Sequence, residues 1–528
     1  MAGELRKDNV PNSNASKNLD AEGKPLYPSS YVFNEILMIN KEGNEEDIKK
    51  IVTSLIIVEE IYSPFLTARI RIRDNENFFD KFKISGQEIV RVSINYLPDA
   101  KAETTKDVEY EFVVKDYPLF DKTTESINVQ EYEINLISSY AYLSRLQQIS
   151  QGVKKDPVDN IEKIFKEYLG NPTFEYKSEG RYPCIVNDLK AVITQQTPLQ
   201  AVEFLKGTCY DKDFAPFFIY TTLEDSTETG SKIIVRSWSD IIDKEGNPVY
   251  NPLGNDAPYS LRPFEKGVPG SKDYLKQLKT KIIRFKSNIK LDKLSQSLAG
   301  GIGSVTEVID LNERTFTEEK SLPKGTSPRN LLERREGESP NFRRVERQDQ
   351  PADLGLLNRG SETFEETNGL FDFEYLNRLE INGKRPKILN TILNEPRTSR
   401  EVYYIPVDPY GQKFRSSSEI KKEALKDTKL YKANLDAISH EIVTYGDLNL
   451  KASAKIEIEI PKAVDTNAEP EGIDESLSGI YIISTSVHEF TGGVYTNQLK
   501  IIKDRDSVPK LPDDGSITGS FSDFRLQS

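Results

Sequence analysis

Apolar and polar residues alternate with a period of two at both ends of this chain, and a period near 3.6 interrupts them in the middle. The clearest alternation is Lys455-Ile456-Glu457-Ile458-Glu459-Ile460, which sets three isoleucines on one side of a strand and the glutamates on the other, and Pro461 closes it. Before it, the short apolar strand Ile442-Val443-Thr444-Tyr445 stops at the turn dipeptide Gly446-Asp447. After it, an acidic loop runs to Leu477. Ser478-Gly479 then opens a strand from Ile480 to Phe490, and Gly492-Gly493 turns the chain into Tyr495 to Asp504. Together these features predict consecutive antiparallel strands building a small barrel.

The N-terminal part has the same character. Residues 1–30, rich in Asn, Ser, Lys and Pro, predict a flexible arm. Residues 31–137 are mainly β. Ile51 to Ile61 predicts a mostly buried strand. From Thr67 to Arg73, Ala68, Ile70 and Ile72 share one face and Arg69, Arg71 and Arg73 the other. Asp74 to Phe82 reads as a helical turn or loop, followed by strands at Ile89 to Tyr96, Tyr110 to Tyr117 and Ile127 to Ile137. Both ends share an order of events: a Gly turn, an alternating strand, a loose polar loop, then two strands joined by a turn. Gln87 to Ile94 corresponds to Lys455 to Ile460, and Glu131 to Ile137 to Gln498 to Lys503. The likeness is one of pattern, and its bland alternative is that any two meanders look alike.

The helical period occupies 138–213, an α/β insertion. Asp156-Pro157 caps a helix with Ile161, Ile164, Phe165, Tyr168 and Leu169 on one face, ended by Gly170. Thr197-Pro198 starts a second through Ala201, Val202 and Leu205, stopped by Gly207. A hairpin within 214–245 completes the first barrel, and 246–279 is a Pro/Gly/Asn-rich connector. The second barrel takes 280–316, with strands at Ile282 to Ile289 and Val305 to Asn312, and 436–506. Between these parts, 317–435 is a loop-rich insertion holding Glu333-Arg334-Arg335-Glu336 and Arg343-Arg344-Val345-Glu346-Arg347. Its mixed charge fits a solvated or subunit-clasping segment better than a nucleic-acid arm. A helix capped by Ser418, with Ile420, Ala424, Tyr431 and Leu435 on one stripe, ends it; 507–528 is a polar tail. The fold class is mainly β (α+β): two related small antiparallel β-barrels, an α/β insertion and a long loop-rich insertion.

Composition narrows the function. A net charge of −13 over 528 residues argues against a general nucleic-acid binder. Two cysteines, Cys184 and Cys209, make no disulfide framework or metal spacing, and their number fits assembly in reducing cytoplasm. No secretory signal is read in Met1 to Lys17, and apolar runs such as Leu55 to Val58 are too short to span a bilayer. The two histidines, His440 and His488, have no Cys or His neighbours in sequence and read as structural or interface residues. Glu457 and Glu459 line one strand face, and Gly300-Gly301-Ile302-Gly303 lacks the Lys and Ser/Thr of a phosphate-binding loop. No catalytic, cofactor-binding or metal residue is assigned.

Gly446, Asp447, Pro461, Ser478, Gly479, Tyr481, Ile483, His488, Phe490, Tyr495, Leu499 and Asp504 are each common residues; their order is the specific signal. That order resembles the end of the central baseplate hub protein of T-even-type contractile-tailed phages and is similar to the hub-like part of type VI secretion spike proteins. The resemblance covers the C-terminal block well, the N-terminal block and α/β insertion by order of elements, and 317–400 not at all. It implies a virion protein, assembled in the host cytoplasm, that forms a homotrimeric ring of pseudo-six-fold symmetry. Such a ring adapts a six-fold tail tube to a three-fold puncturing spike, which can include a tail lysozyme. The implied partners are that spike, tail-tube or tube-initiator proteins, the baseplate wedge, and DNA passing without specific binding; no membrane insertion is expected. An alternative class is a tail-associated peptidoglycan hydrolase with β attachment modules. A channel for DNA is expected to be acidic or neutral, with Arg69, Arg71 and Arg73 turned to a protein neighbour.

Overall fold

The structure is a computed structural model describing residues 29–97, 106–122, 129–176, 182–186, 189–212, 215–223, 232–243, 246–253, 258–262, 272–289, 304–310, 315–321, 399–405, 438–462, 472–474 and 477–503. The N-terminal block holds β1 (Ser30–Ile39), β2 (Glu45–Asp47), β3 (Val52–Glu60), β4 (Thr67–Asp74), β5 (Ile89–Leu97), β6 (Lys106–Lys122) and β7 (Gln130–Ser138). The insertion and hairpin supply β8 (Ile149–Lys155), β9 (Thr173–Glu175), β10 (Leu189–Gln196), β11 (Phe217–Tyr220) and β12 (Lys232–Ser237). Next come β13 (Val249–Tyr250), β14 (Tyr259–Ser260), β15 (Ile282–Ile289), β16 (Ser304–Asp310), β17 (Thr315–Ser321) and β18 (Ser399–Ile405). The C-terminal block ends with β19 (Ile438–Tyr445), β20 (Lys455–Glu459), β21 (Gly479–Thr491) and β22 (Val494–Lys503).

One sheet unites both ends of the chain. Its order is β15-β19-β22-β21-β3-β4-β7-β6-β5-β1-β2, with β13, β14 and β20 branching from β21. The path is open, and among the described residues its strands do not close into a ring. The seam is β3 against β21, antiparallel from Ser54↔Thr491 to Glu60↔Thr485. Alternation explains the shared core: Val52, Leu55 and Ile57 are buried along β3, as are Ala68, Ile70 and Ile72 along β4, and Phe490 and Tyr495 of the C-terminal block pack in the same cluster. The stretch expected to be mostly buried is thus half-buried, since Ile56 and Val58 alternate toward the other face.

The two blocks repeat one strand order. β3-β4-β7-β6-β5 and β15-β19-β22-β21-β20 run first, second, fifth, fourth, third, and every pairing in both is antiparallel. Two irregularities repeat as well, although β6 carries a further one between Asp116 and Leu119 that β21 lacks. Thr53 in β3 and Ile283 in β15 are skipped by the strand beside them, and so are Lys115 in β6 and Ser484 in β21. The Val114 N–H donates to the Glu88 carbonyl at 2.9 Å, and Ile483 N–H to the Ala454 carbonyl at 2.9 Å, in equivalent places. Val90 and Val92 take the positions of Ile456 and Ile458, in line with the pairing of Gln87–Ile94 with Lys455–Ile460. For the other pair of segments the strands correspond but the residues shift: Ile137 aligns with Ile502, one place before Lys503.

Three segments fold differently from expectation. The hairpin β11–β12 joins β9 in a separate three-stranded sheet instead of completing the first block. All four residues of β11 are buried, because Phe217 and Ile219 face the insertion core while Phe218 and Tyr220 pack with Ile482 and Ile502. A strand apolar on both faces forms a layer between two cores, not an extension of a half-solvated sheet. The connector supplies β13 and β14, which pair in parallel with β20. β16, expected in the second barrel, pairs instead with β17, the next strand along the chain, which a short loop closes at little entropic cost, and with the distant β18.

In the insertion, the Asp156 carboxylate accepts the Val158 N–H at 2.7 Å, capping helix Pro157–Tyr168; Thr197 and Gln200 form a capping box on helix Pro198–Lys206. The helix expected from Ser418, the Gly300–Gly303 turn, the 507–528 tail and the arm before Ser29 lie outside the described residues.

Gly446 gives the tightest approach in the sheet. A Cβ there would meet the Tyr495 ring at 2.1 Å, whereas Gly492 has open space around it. Gly446→Ala is therefore expected to cost about 3 kcal/mol, while Gly492→Ala, strained only by its positive φ, costs about 1 kcal/mol. Urea unfolding of the two variants checks the difference.

Candidate functional site

The densest polar assembly among the described residues is the seam between the blocks. Glu59 sits at the inward position after Leu55 and Ile57 on β3 and is fully buried. Its Oε2 accepts the Leu223 N–H at 2.7 Å and its Oε1 the Ala452 N–H at 2.9 Å. His488 of β21 places Nε2 3.3 Å from the same Oε1. One carboxylate thereby ties β3, the hairpin and two parts of the C-terminal block.

The far side of His488 continues the network. Tyr495 Oη lies 2.7 Å from Nδ1, while Nε2 faces Glu59 at 3.3 Å without hydrogen-bond geometry. Asn497 Nδ2 lies 3.2 Å from Nδ1, and its Oδ1 accepts the Asp447 N–H at 2.6 Å. Asp447 in turn accepts from Tyr250 Oη at 2.5 Å and from the Asn449 N–H at 2.9 Å. Tyr96 of β5 donates to the Gly446 carbonyl at 3.0 Å, so the two blocks are bonded at a second place. Burial pushes the Tyr96 and Tyr495 phenols well above their ordinary range, and the nearby Asp447 adds to it. Phe490 stacks on Tyr495 at 4.4 Å and Tyr31 meets Phe490 edge-on at 5.0 Å, sealing the polar groups from solvent.

The marker residues gather into three jobs. Gly446, Asp447, His488, Phe490 and Tyr495 form the seam. Ser478 clamps the end of β20, its Oγ accepting the Ile460 N–H at 2.8 Å, where Pro461 bridges to Ile473. Tyr481 donates to the Leu477 carbonyl at 2.8 Å and so accepts from His440 Nε2 at 3.1 Å, while Ile483 and Leu499 fill the C-terminal core. Asp504 lies outside the described residues. Both histidines are thus buried structural groups.

Other candidates fall into ordinary places. Glu457 is exposed and Glu459 lies 3.7 Å from Arg262. Cys184 and Cys209 are free thiols packed together in the insertion; the Cys209 thiol beside it pulls Cys184 down, and burial pushes Cys209 up. Among the described residues no group of three His, Cys, Asp or Glu could hold a metal, and no helix is long and apolar enough to cross a membrane. Arg69 and Arg71 lie 3.2 and 3.4 Å from Glu133, and Arg73 3.6 Å from Glu131. The arginine row thus finds its carboxylates on β7 of its own chain. Cross-strand register decides this, since Arg71 stands opposite Glu133 and Arg73 opposite Glu131.

No protein-family model and no curated protein matches the chain. Among solved structures it is similar to a tail protein from Neisseria meningitidis, at 9% identity over 90% of this chain and 97% of that one, with a TM-score of 0.43. It is likewise similar to the prophage MuSo2 43 kDa tail protein from Shewanella oneidensis, at 8% identity over 90% and 99% of the two chains, with a TM-score of 0.42. An E. coli component of the type VI secretion system matches at 9% identity over 90% and 77%, with a TM-score of 0.36. At these scores the likenesses establish neither family nor function.

Glu59 was missed in the sequence, although a single acid at the inward parity of an otherwise apolar strand is a legible signal. Glu59→Ala leaves two buried N–H groups without an acceptor and is expected to cost about 3 kcal/mol or more. Glu59→Gln, which keeps one acceptor oxygen, should cost about half as much. His488→Gln should weaken the fold less than Glu59→Ala and leave assembly intact. Denaturant titration ranks the three; equal losses would show that the carboxylate contacts contribute little.

Proposed function

We propose that this chain is a structural subunit of a contractile-tail baseplate, the central hub, with three copies forming a ring between a six-fold tail tube and a three-fold spike. The observation that carries this reading is the duplicated block, with its repeated strand order and repeated bulges. A chain holding one antiparallel block twice offers six similar units from three copies. It can meet six-fold and three-fold partners at opposite ends. The order of marker residues supports the same family, and the seam fixes the two blocks as one rigid piece. The role is mechanical and not enzymatic. Its partners are the spike on one side, tail-tube or tube-initiator proteins on the other, the baseplate wedge, and DNA that passes without specific binding. Its place is the virion tail after assembly in the host cytoplasm.

The charge pattern fits a passage for DNA. Arg69 and Arg71 share Glu133, Arg73 lies by Glu131 and Arg91 lies 2.6 Å from Glu111, so most of the positive charge these strands present is offset within the chain. Unneutralised Arg or Lys would bind the backbone of the genome and hold it. The net charge of −13 per chain supports a ring lining that is acidic or neutral.

Light scattering of the full chain is expected to give three times its 60.0 kDa mass, alone or on adding the spike, with a central ring in electron micrographs. A monomer under both conditions would refute the reading, and so would peptidoglycan clearing by the purified chain.

A further inference from the structure

The seam that β3 makes inside the chain has no counterpart for β15. In the repeated order, β15 stands where β3 stands and β6 where β21 stands. β3 has β4 on one edge and β21 on the other; β15 has β19 on one edge, while on the other β14 reaches only its start, through the bridge Ser260↔Lys281, and Ile282–Ile289 meets no strand there among the described residues. β21 serves two partners along a single edge. Gly479–Ile482 pair with β20 and Thr485–Thr491 pair with β3. β6 has the same construction. Its first half, Lys106–Val113, pairs with β5, and on that edge Asp116–Lys122 meets no strand among the described residues.

An eight-residue edge strand with open N–H and C=O groups is a template for another strand, and proteins cover or blunt such edges. Ile283, at the bulge of β15, is 45% exposed, which adds an apolar side chain to that open edge. We propose that β15 of one copy adds, antiparallel, to the Asp116–Lys122 edge of β6 in a second copy, so that the contact between copies repeats the seam within each chain. This rests on the ring reading above and supplies the surface that makes the ring.

The register follows from the duplication. Val58, opposite Val487 at the seam, is equivalent to Asn288, and Val487 is equivalent to Leu119. The transfer sets Asn288 opposite Leu119, Ser287 opposite Phe120, Lys286 opposite Asp121 and Phe285 opposite Lys122. It thus sets Lys286 of one copy, whose Nζ already lies 3.0 Å from Glu441 of its own β19, at the same rung as Asp121 of the next. The contact is head-to-tail, because each copy presents β15 to one neighbour and β6 to the other. If each block relates to the next by the operation that relates the two blocks inside a chain, closure at three copies leaves no open edge.

The test is a paired-cysteine cross-link in the full chain. Asn288→Cys with Leu119→Cys, oxidised and mapped by peptide mass against the native Cys184 and Cys209, is expected to give covalent dimers and closed trimers. Ser287→Cys with Leu119→Cys, one residue out of register, should give neither, since a one-residue slip turns a side chain to the other face. In a second arm, Lys286→Glu and Asp121→Lys alone should each weaken association at least about tenfold, and the two together should restore it. A wild-type trimer in which the Asn288/Leu119 pair stays uncoupled, or in which the charge reversals have no effect, overturns the pairing and leaves the ring standing. A wild-type chain that stays monomeric even with the spike overturns the ring itself.

Discussion

The architecture depends on burying Glu59. A carboxylate taken out of water is costly unless its oxygens are occupied. Here the occupants are two backbone N–H groups far apart in sequence, at Leu223 and Ala452, with the His488 imidazole packed 3.3 Å away. None of these contacts exists until the N-terminal block, the hairpin and the C-terminal block have come together. The group therefore opposes any arrangement in which the two blocks are present but apart. Apolar contacts between Tyr31, Phe33, Phe490 and Tyr495 supply the attraction at the seam, and the carboxylate supplies the specificity.

In the proposed ring, two such blocks in one chain answer a geometric problem. Identical subunits can match a three-fold partner or a six-fold partner, but a three-membered ring meets a six-fold face only if each member presents similar surfaces twice. The repeated bulges matter here because a bulge sets local twist, and twist sets the angle at which one block follows another. The insertions leave this frame alone. The α/β insertion follows the last strand of the first block, while β16, β17 and β18 enter between the first and second strands of the second.

The outer face of the sheet follows a different rule from the seam. Its charges are exposed and cross-strand, each pair worth about 0.2–1 kcal/mol. Their weight lies in what they cancel: the arginine row of β4 is matched by the glutamates of β7 before any partner arrives.

Much of this was written in the sequence. Alternation at Thr67–Arg73 and Lys455–Ile460 determined which side chains face inward, because the pleat allows no other choice. Asp156-Pro157, Thr197-Pro198 and the glycines after them bounded two helices through local capping. The likeness between the ends was legible as an order of events, and strand order carries it although residue identity does not. Only the tertiary structure decided which strands are neighbours. Alternation says which face of a strand is apolar and nothing about whose edge it meets, so the seam of β3 with β21, the hairpin between two cores and the pairing of β16 away from the second block were invisible. Glu59 shows the limit most plainly. Its inward position could be counted along β3, but its acceptor role depends on residues 164 and 393 positions away, and no local pattern reaches that far.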